Sequence, residues 1–127
     1  MTRCIIAGSR NFTDYQILEK NVMRVFELEH IFKPQIISGH ARGTDMLGEL
    51  FAHEHYLDLK TFPAQWEKYG KSAGPIRNND MATYASEETG MLIAFWDGKS
   101  KGTHNMIDTA KKHGLTVYVI DINNKEN

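Results

Sequence analysis

The chain of 127 residues has one cysteine, three prolines, almost no net charge and no long apolar run. A single cysteine excludes an internal disulfide, so the fold must rest on its own core. Cys4 sits in the run RCIIAG, the setting of a small buried hydrophobe rather than a nucleophile. The longest apolar run, MLIAFW at 91–96, falls far short of the ~18 residues of a membrane span. Met1-Thr2-Arg3 leads straight into a strand-like run instead of a signal peptide, and the expectation is a soluble cytoplasmic protein. A formal charge of −1 argues against a broad basic face, so duplex DNA is disfavoured as a partner. Metal chemistry also finds little support. There is no HExxH, and His53 and His55, two apart, point to different faces of a helix. No metal and no cofactor are expected.

A true phosphate loop is missing too. DGKSKGT at 97–103 contains Gly-Lys-Ser, but the glycine required five positions before Gly98 is Ile93, inside a strand-like run. A triphosphate cradle of that kind is excluded, and the loop needs another explanation.

What is present is alternation. Apolar, β-branched runs occur at CIIA (4–7), QIIS (35–38), MLIAFW (91–96) and TVYVID (116–121), with LKTF (59–62) as a weaker fifth. Helical spacing lies between them: Leu18, Val22, Val25 and Phe26, then Leu47, Leu50 and Phe51, then Ile107 and Ala110, with Gly114 as a stop. Strands that are apolar throughout, alternating with helices, predict one Rossmann-like α/β domain over residues 1–122. Its parallel sheet has about five strands with helices on both faces, and a polar tail follows at 123–127. PAQWEKYGKSAGPIRN, 63–78, lacks a clear period and reads as a long functional loop or lid held by Trp66 and Tyr69, with Arg77 at the start of the next helix.

In such a sheet the strand-to-helix loops share one edge, where ligands bind. Three glycine-bearing loops belong there: GSRNF (8–12), SGHARGTD (38–45) and DGKSKGT (97–103). Arg10, Arg42, Lys99, Lys101 and Arg77 lie in or beside them. Cations at helix N-termini oppose the helix dipole, and an anionic ligand reverses the sign. DGKSKGT thus reads as a short phosphate-binding turn, with Thr103 as N-cap or phosphate donor.

GSR (8–10), SGHARGTD (38–45), PAQW (63–66), AGPIRNNDM (73–81) and DGKSKGTHNMI (97–107), in this order, resemble the YspA- and YpsA-related branch of the SLOG superfamily. That superfamily also contains the LOG cytokinin-activating phosphoribohydrolases and the DNA-uptake protein DprA. The resemblance implies a Rossmann-like fold and a pocket for a nucleotide or nucleotide-derived molecule such as an ADP-ribose species. It also implies a link to nucleotide signals in conflict between bacteria and phages, and a homo-oligomer. The branch's conserved aspartate and Arg-Asn fall on Asp45 and Arg77-Asn78. The LOG signature PGGxGTxxE has its glutamate at the position of Met106, so the LOG reaction does not carry over.

The candidate ligand-binding residues are Gly8, Ser9, Arg10, Ser38, Gly39, His40, Arg42, Gly43, Thr44, Asp45, Trp66, Arg77, Asn78, Asp97, Gly98, Lys101, Gly102 and Thr103. Asp45, Glu49 and Arg77 are the catalytic candidates. Asp45 and Glu49 share a helix face and could hold ribose hydroxyls or support an oxocarbenium-like centre; alternatively Asp45 caps the helix and Glu49 faces water. Trp66 either stacks on a base or pins the loop. His40 and His104 contact phosphate or sit at the surface, and Met81 and Met106 belong to the core. Two functions stay open. One is a sensor or sponge that binds a nucleotide-derived ligand intact. The other is an enzyme that cleaves or transfers at an N-glycosidic bond.

Overall fold

A computed structural model describes residues 1–123. In chain order it contains β1 (Thr2–Gly8), α1 (Tyr15–Leu28), β2 (Gln35–Ser38), α2 (Thr44–Glu54), β3 (Leu59–Thr61), the short α3 (Trp66–Tyr69), a 3-10 turn (Gly70–Ser72), α4 (Ala73–Ser86), β4 (Thr89–Trp96), α5 (Lys101–Lys112) and β5 (Thr116–Asp121). The five strands form one sheet in the order β3-β2-β1-β4-β5, and every neighbouring pair is parallel. Residues 124–127, most of the expected tail, lie outside the described residues.

The period-two geometry of a strand sorts its side chains to two faces. On β1, Cys4 and Ile6 join Phe12, Leu18, Val22, Phe26 and Phe51, so this face is covered by α1 and α2. Ile5 and Ala7 face the opposite way and meet Met81, Ala82, Ala85, Met106, Ile107 and Ala110 from α4 and α5. Register holds the two layers together, with Ile5 opposite both Ile37 of β2 and Leu92 of β4. Each fully buried large apolar side chain stabilises by about 1.5–3 kcal/mol. Phe51 and Phe95 are the largest of them. The amphipathic spacing of α1 is completed by its cap, where Asp14 Oδ1 accepts from the Ile17 N–H at 3.2 Å.

The stretch 63–78 is not the long loop its lack of period suggests. Apart from 63–65 it is helical, as α3, the 3-10 turn and the first six residues of α4. Pro75 sits in the first turn of α4, where a missing N–H costs nothing. Arg77 is consequently one turn into that helix rather than at its start.

From β1 the chain steps outward to β2 and β3, then crosses the sheet through α4 and returns to place β4 on the other side of β1. The strand order therefore reverses between β1 and β4. A crevice opens there outside the carboxyl ends of the two strands.

Candidate functional site

The crevice is a cavity of about 650 Å³. Its walls come from the β1–α1 loop, the β2–α2 loop, α3, the first turns of α4 and the β4–α5 loop. Ser9 ties three of these together. Its N–H donates to the Phe95 carbonyl (2.9 Å), its own carbonyl accepts from Thr44 Oγ1 (2.9 Å), and its hydroxyl accepts from the Asp97 N–H (3.3 Å). Gly43, with φ of +77°, lets the second loop lie against the first; a Cβ there would stand 2.3 Å from the Arg10 carbonyl oxygen.

Of the residues singled out from the sequence, Gly8, Ser9, Arg10, Arg42, Asp45 and Trp66 line the cavity. So do Arg77, Asn78, Asp97, Lys101, Gly102 and Thr103. Three arginines from three separate segments thus share one hollow. Lys99 lines it as well, so among the described residues five cations and two carboxylates, Asp45 and Asp97, surround this space. Arg10 also leans over the half-exposed Trp66, its guanidinium carbon 5.9 Å from the ring centroid.

Ser38, Gly39, His40, Gly43, Thr44, Gly98 and Glu49 do not line the cavity. Most of them brace it from behind. Glu49 Oε2 accepts from Ser38 Oγ (2.8 Å) and lies 2.8 Å from His40 Nδ1, so this carboxylate neither faces water nor joins Asp45 at the cavity. The Gly39 carbonyl accepts from Arg77 Nη1 at 2.6 Å. A Cβ on Gly39 would lie 2.5 Å from that nitrogen and 2.9 Å from Asp45 Oδ2, so a side chain here would push the ends of Arg77 and Asp45 out of their present positions.

Asp45 is the chemically unusual group. It is buried, and its Oδ2 accepts from the Ala41 N–H at 3.1 Å. Burial raises its pKa to about 6, with help from Glu49, against the opposing pull of the Ala41 hydrogen bond and the Arg77 and Arg10 charges. Burial works the other way on Arg77, lowering its pKa, while Asp45 supports its charge. Asn78 is locked rather than free. Its amide donates to Asn105 Oδ1 (2.9 Å) and its Oδ1 accepts from Arg77 Nε (2.9 Å), which ties α4 to α5 and aims the guanidinium.

In the β4–α5 turn, Asp97 Oδ1 accepts from the N–H groups of Lys99 and Ser100, both at 2.8 Å, and these bonds lower its pKa. The N-cap of α5 is Ser100, whose hydroxyl accepts from the Thr103 N–H; Thr103 itself is buried in the first turn, so the expected cap is displaced by three residues. Sequence reasoning also passed over Asn11, Ser100 and Asn105 as cavity residues. Their adjacency to Arg10, Lys99 and Met106 was the available signal. His104 is exposed and stacks on Trp96 instead of entering the cavity. Met81 and Met106 are buried in the core, and both also line the cavity.

A profile described as the YspA, cpYpsA-related SLOG family (YAcAr) matches residues 2–69, slightly more than half of the chain. The chain belongs to this family. Membership suggests a nucleotide-derived small-molecule ligand, and the matched span carries Arg10, Arg42, Asp45 and Trp66. Arg77 and the β4–α5 turn lie beyond it. The Gene 61 protein of Mycobacterium phage D29 is 30% identical over 125 residues, covering 92% of this chain and 94% of that protein. Among solved structures, DNA processing protein A (DprA) from Streptococcus pneumoniae superposes with a TM-score of 0.64 at 17% identity, over 93% of this chain. That likeness is one of fold, and this chain spans about half (49%) of the DprA chain. Among the described residues no helix is long and apolar enough to cross a membrane.

Proposed function

We propose that this family member binds a phosphate-containing, nucleotide-derived ligand of the ADP-ribose type in the cavity between β1 and β4. The observation that carries the reading is the convergence of Arg10, Arg42 and Arg77 on one hollow, with Lys99 and Lys101 opposite. Arg42 and Lys101 sit at the N-terminal ends of α2 and α5, where a lone cation is unfavourable by several tenths of a kcal/mol. A phosphate placed among them turns each of those terms favourable and accepts charge-assisted hydrogen bonds. In this arrangement the half-exposed Trp66 offers a stacking surface for a base, and Asp45 accepts from ribose hydroxyls.

The test is calorimetric titration of the intact chain with AMP, ADP, ADP-ribose and NAD, together with mass spectrometry of any small molecule that copurifies. At least one phosphorylated nucleoside should bind, quench tryptophan fluorescence, and lose about tenfold or more in affinity in Arg77→Ala. Absence of binding across the panel, with nothing copurifying, sinks the proposal.

One observation favours a second reading, cleavage or transfer at the N-glycosidic bond. A buried carboxyl with a pKa near 6 facing the cavity can hold or deliver a proton near neutrality. Turnover separates the readings: a sensor or sponge returns its ligand intact on denaturation, whereas an enzyme returns free base and ribose phosphate, and Asp45→Asn stops that release. DNA binding of the DprA kind has fold likeness alone in its favour. It demands affinity that falls steeply with salt.

A further inference from the structure

We propose that a groove on the α1/α2 side of the sheet docks an acidic amphipathic peptide segment of a partner protein. The groove, of about 780 Å³, is walled by α1, the end of α2, and the α1–β2 and α2–β3 loops. In a parallel sheet those loops lie at the amino ends of the strands, so the groove stands at the opposite edge from the ligand cavity and shares no lining residue with it. Phe26 and Phe51, buried in the α1/α2 core, line it together with the half-buried Ile31 and Leu57. Two further apolar lining residues are left in water: Met23 is 46% exposed and Phe32 89%. Apolar side chains exposed together and rimmed by charge mark an interaction surface.

Phe32 sits in a turn fixed on both sides. Before it, the Ile31 N–H donates to the Phe26 carbonyl at 2.8 Å and closes α1; after it, Pro34 is buried. Between them Lys33 takes left-handed backbone, φ 54°, directly before a proline, where extended backbone is the norm. A large aromatic held in this way gives up little freedom on binding, as an interface anchor requires. Charge decides what the partner carries. Lys20, Arg24 and Lys33 line the groove against one carboxylate, Glu27, and none of the three cations forms an ion pair among the described residues. Lys20 and Arg24 stand one turn apart on α1 and repel each other, and neither lies in the last turn, where the helix dipole favours a cation. Carboxylates flanking the apolar residues of a docked peptide turn that repulsion into attraction. A second copy of this chain is a poor occupant, because a two-fold axis through the groove brings the two sets of cations together.

The test is selection of displayed random peptides of about 16 residues, some four helical turns, on the intact chain, with calorimetry of the enriched peptides. The expected sequences carry apolar residues at helical spacing flanked by Asp or Glu. Their binding should weaken as salt rises and slow amide exchange across residues 23–34. Phe32→Ala and Arg24→Glu should each lose about tenfold or more in peptide affinity. Both positions are exposed, so both variants should keep the circular dichroism of the wild type. Arg77→Ala should bind the peptides as the wild type does, which separates this surface from the ligand cavity. Three results overturn the proposal: no enrichment, enrichment of basic or uncharged peptides, or binding indifferent to Phe32→Ala in the folded variant. Self-association that disappears in Phe32→Ala also overturns it and assigns the groove to a second copy.

Discussion

Asp45 makes the protein less stable at neutral pH than its packing alone would allow, and Asp45→Asn should reveal by how much. The carboxyl titrates at about 6 in the folded chain against an ordinary 3.8. The gap of about two units, at ~1.36 kcal/mol each, corresponds to roughly 3 kcal/mol. Its sign follows from linkage. The folded state holds the proton more tightly than the unfolded state, so the contribution is fully present below the unfolded value and is lost as pH rises through about 6. Asparagine keeps an oxygen for the Ala41 N–H but cannot ionise. Urea unfolding of wild type and Asp45→Asn, followed by tryptophan fluorescence at intervals from about pH 4 to pH 8, isolates the term, because all other titrating groups are common to both proteins. The stability difference should move in favour of the variant by about 2.5 kcal/mol across that window, the remainder falling below pH 4, with most of the change between the two pKa values. Parallel curves, with a difference independent of pH, would refute the account of a buried, reluctantly ionised carboxyl.

Two glycine substitutions should separate structure from binding. At Gly8 a new Cβ would meet the Phe95 carbonyl oxygen at 2.2 Å, and β4 cannot move aside, so Gly8→Ala should destabilise by about 2 kcal/mol or more in the same urea assay. At Gly39 the intruding contacts are the ends of the Arg77 and Asp45 side chains; Gly39→Ala should cost about 1 kcal/mol or less of stability while weakening ligand affinity about tenfold by calorimetry. Cys4 is fully buried, and that burial pushes its thiol pKa far above the usual range. It should resist a thiol-specific disulfide reagent in the folded chain and react at once in denaturant; rapid labelling of the native protein would contradict the packing of β1.

The strands and the glycine loops were legible because each depends on local pattern. CIIA, QIIS, MLIAFW and TVYVID are strand segments, and the parallel sheet with helices on both faces follows from their uniform apolarity. α4 was hidden at its start for a physical reason. It buries Ala73, Asn78, Met81, Ala82 and Ala85, mostly small or polar side chains, so its inner face leaves a weak apolar signature, and Gly74-Pro75 reads as a turn. The bracing bonds were hidden for another. Ser9 reaches residues 35 and 88 positions away, and Asn78 meets Asn105, contacts that no window of sequence contains. Spacing placed Asp45 and Glu49 on one helix face, but a face is wider than a cavity. Ser38 and His40 hold Glu49 behind the loop, and Asp45 alone reaches the hollow.

That division narrows the chemistry available to the site. Met106 lines the cavity but is 1% exposed, packed with Met81 in the α4/α5 core. Its thioether can neither give nor take a proton. Of the two carboxyls in the cavity, Asp97 is held ionised by the Ser100 and Lys99 N–H groups, so a step that needs a proton near neutrality would fall to Asp45, on the β2–α2 side, with Arg77 held beside it by Gly39 and Asn78. Cationic groups gather on the opposite side as well, at Lys99 and Lys101. A ligand that satisfies both sides has anionic groups reaching the β4–α5 turn and hydroxyls near Asp45. The same geometry serves a binder without alteration. It serves an enzyme only if that one carboxyl, unaided by Glu49, carries the proton.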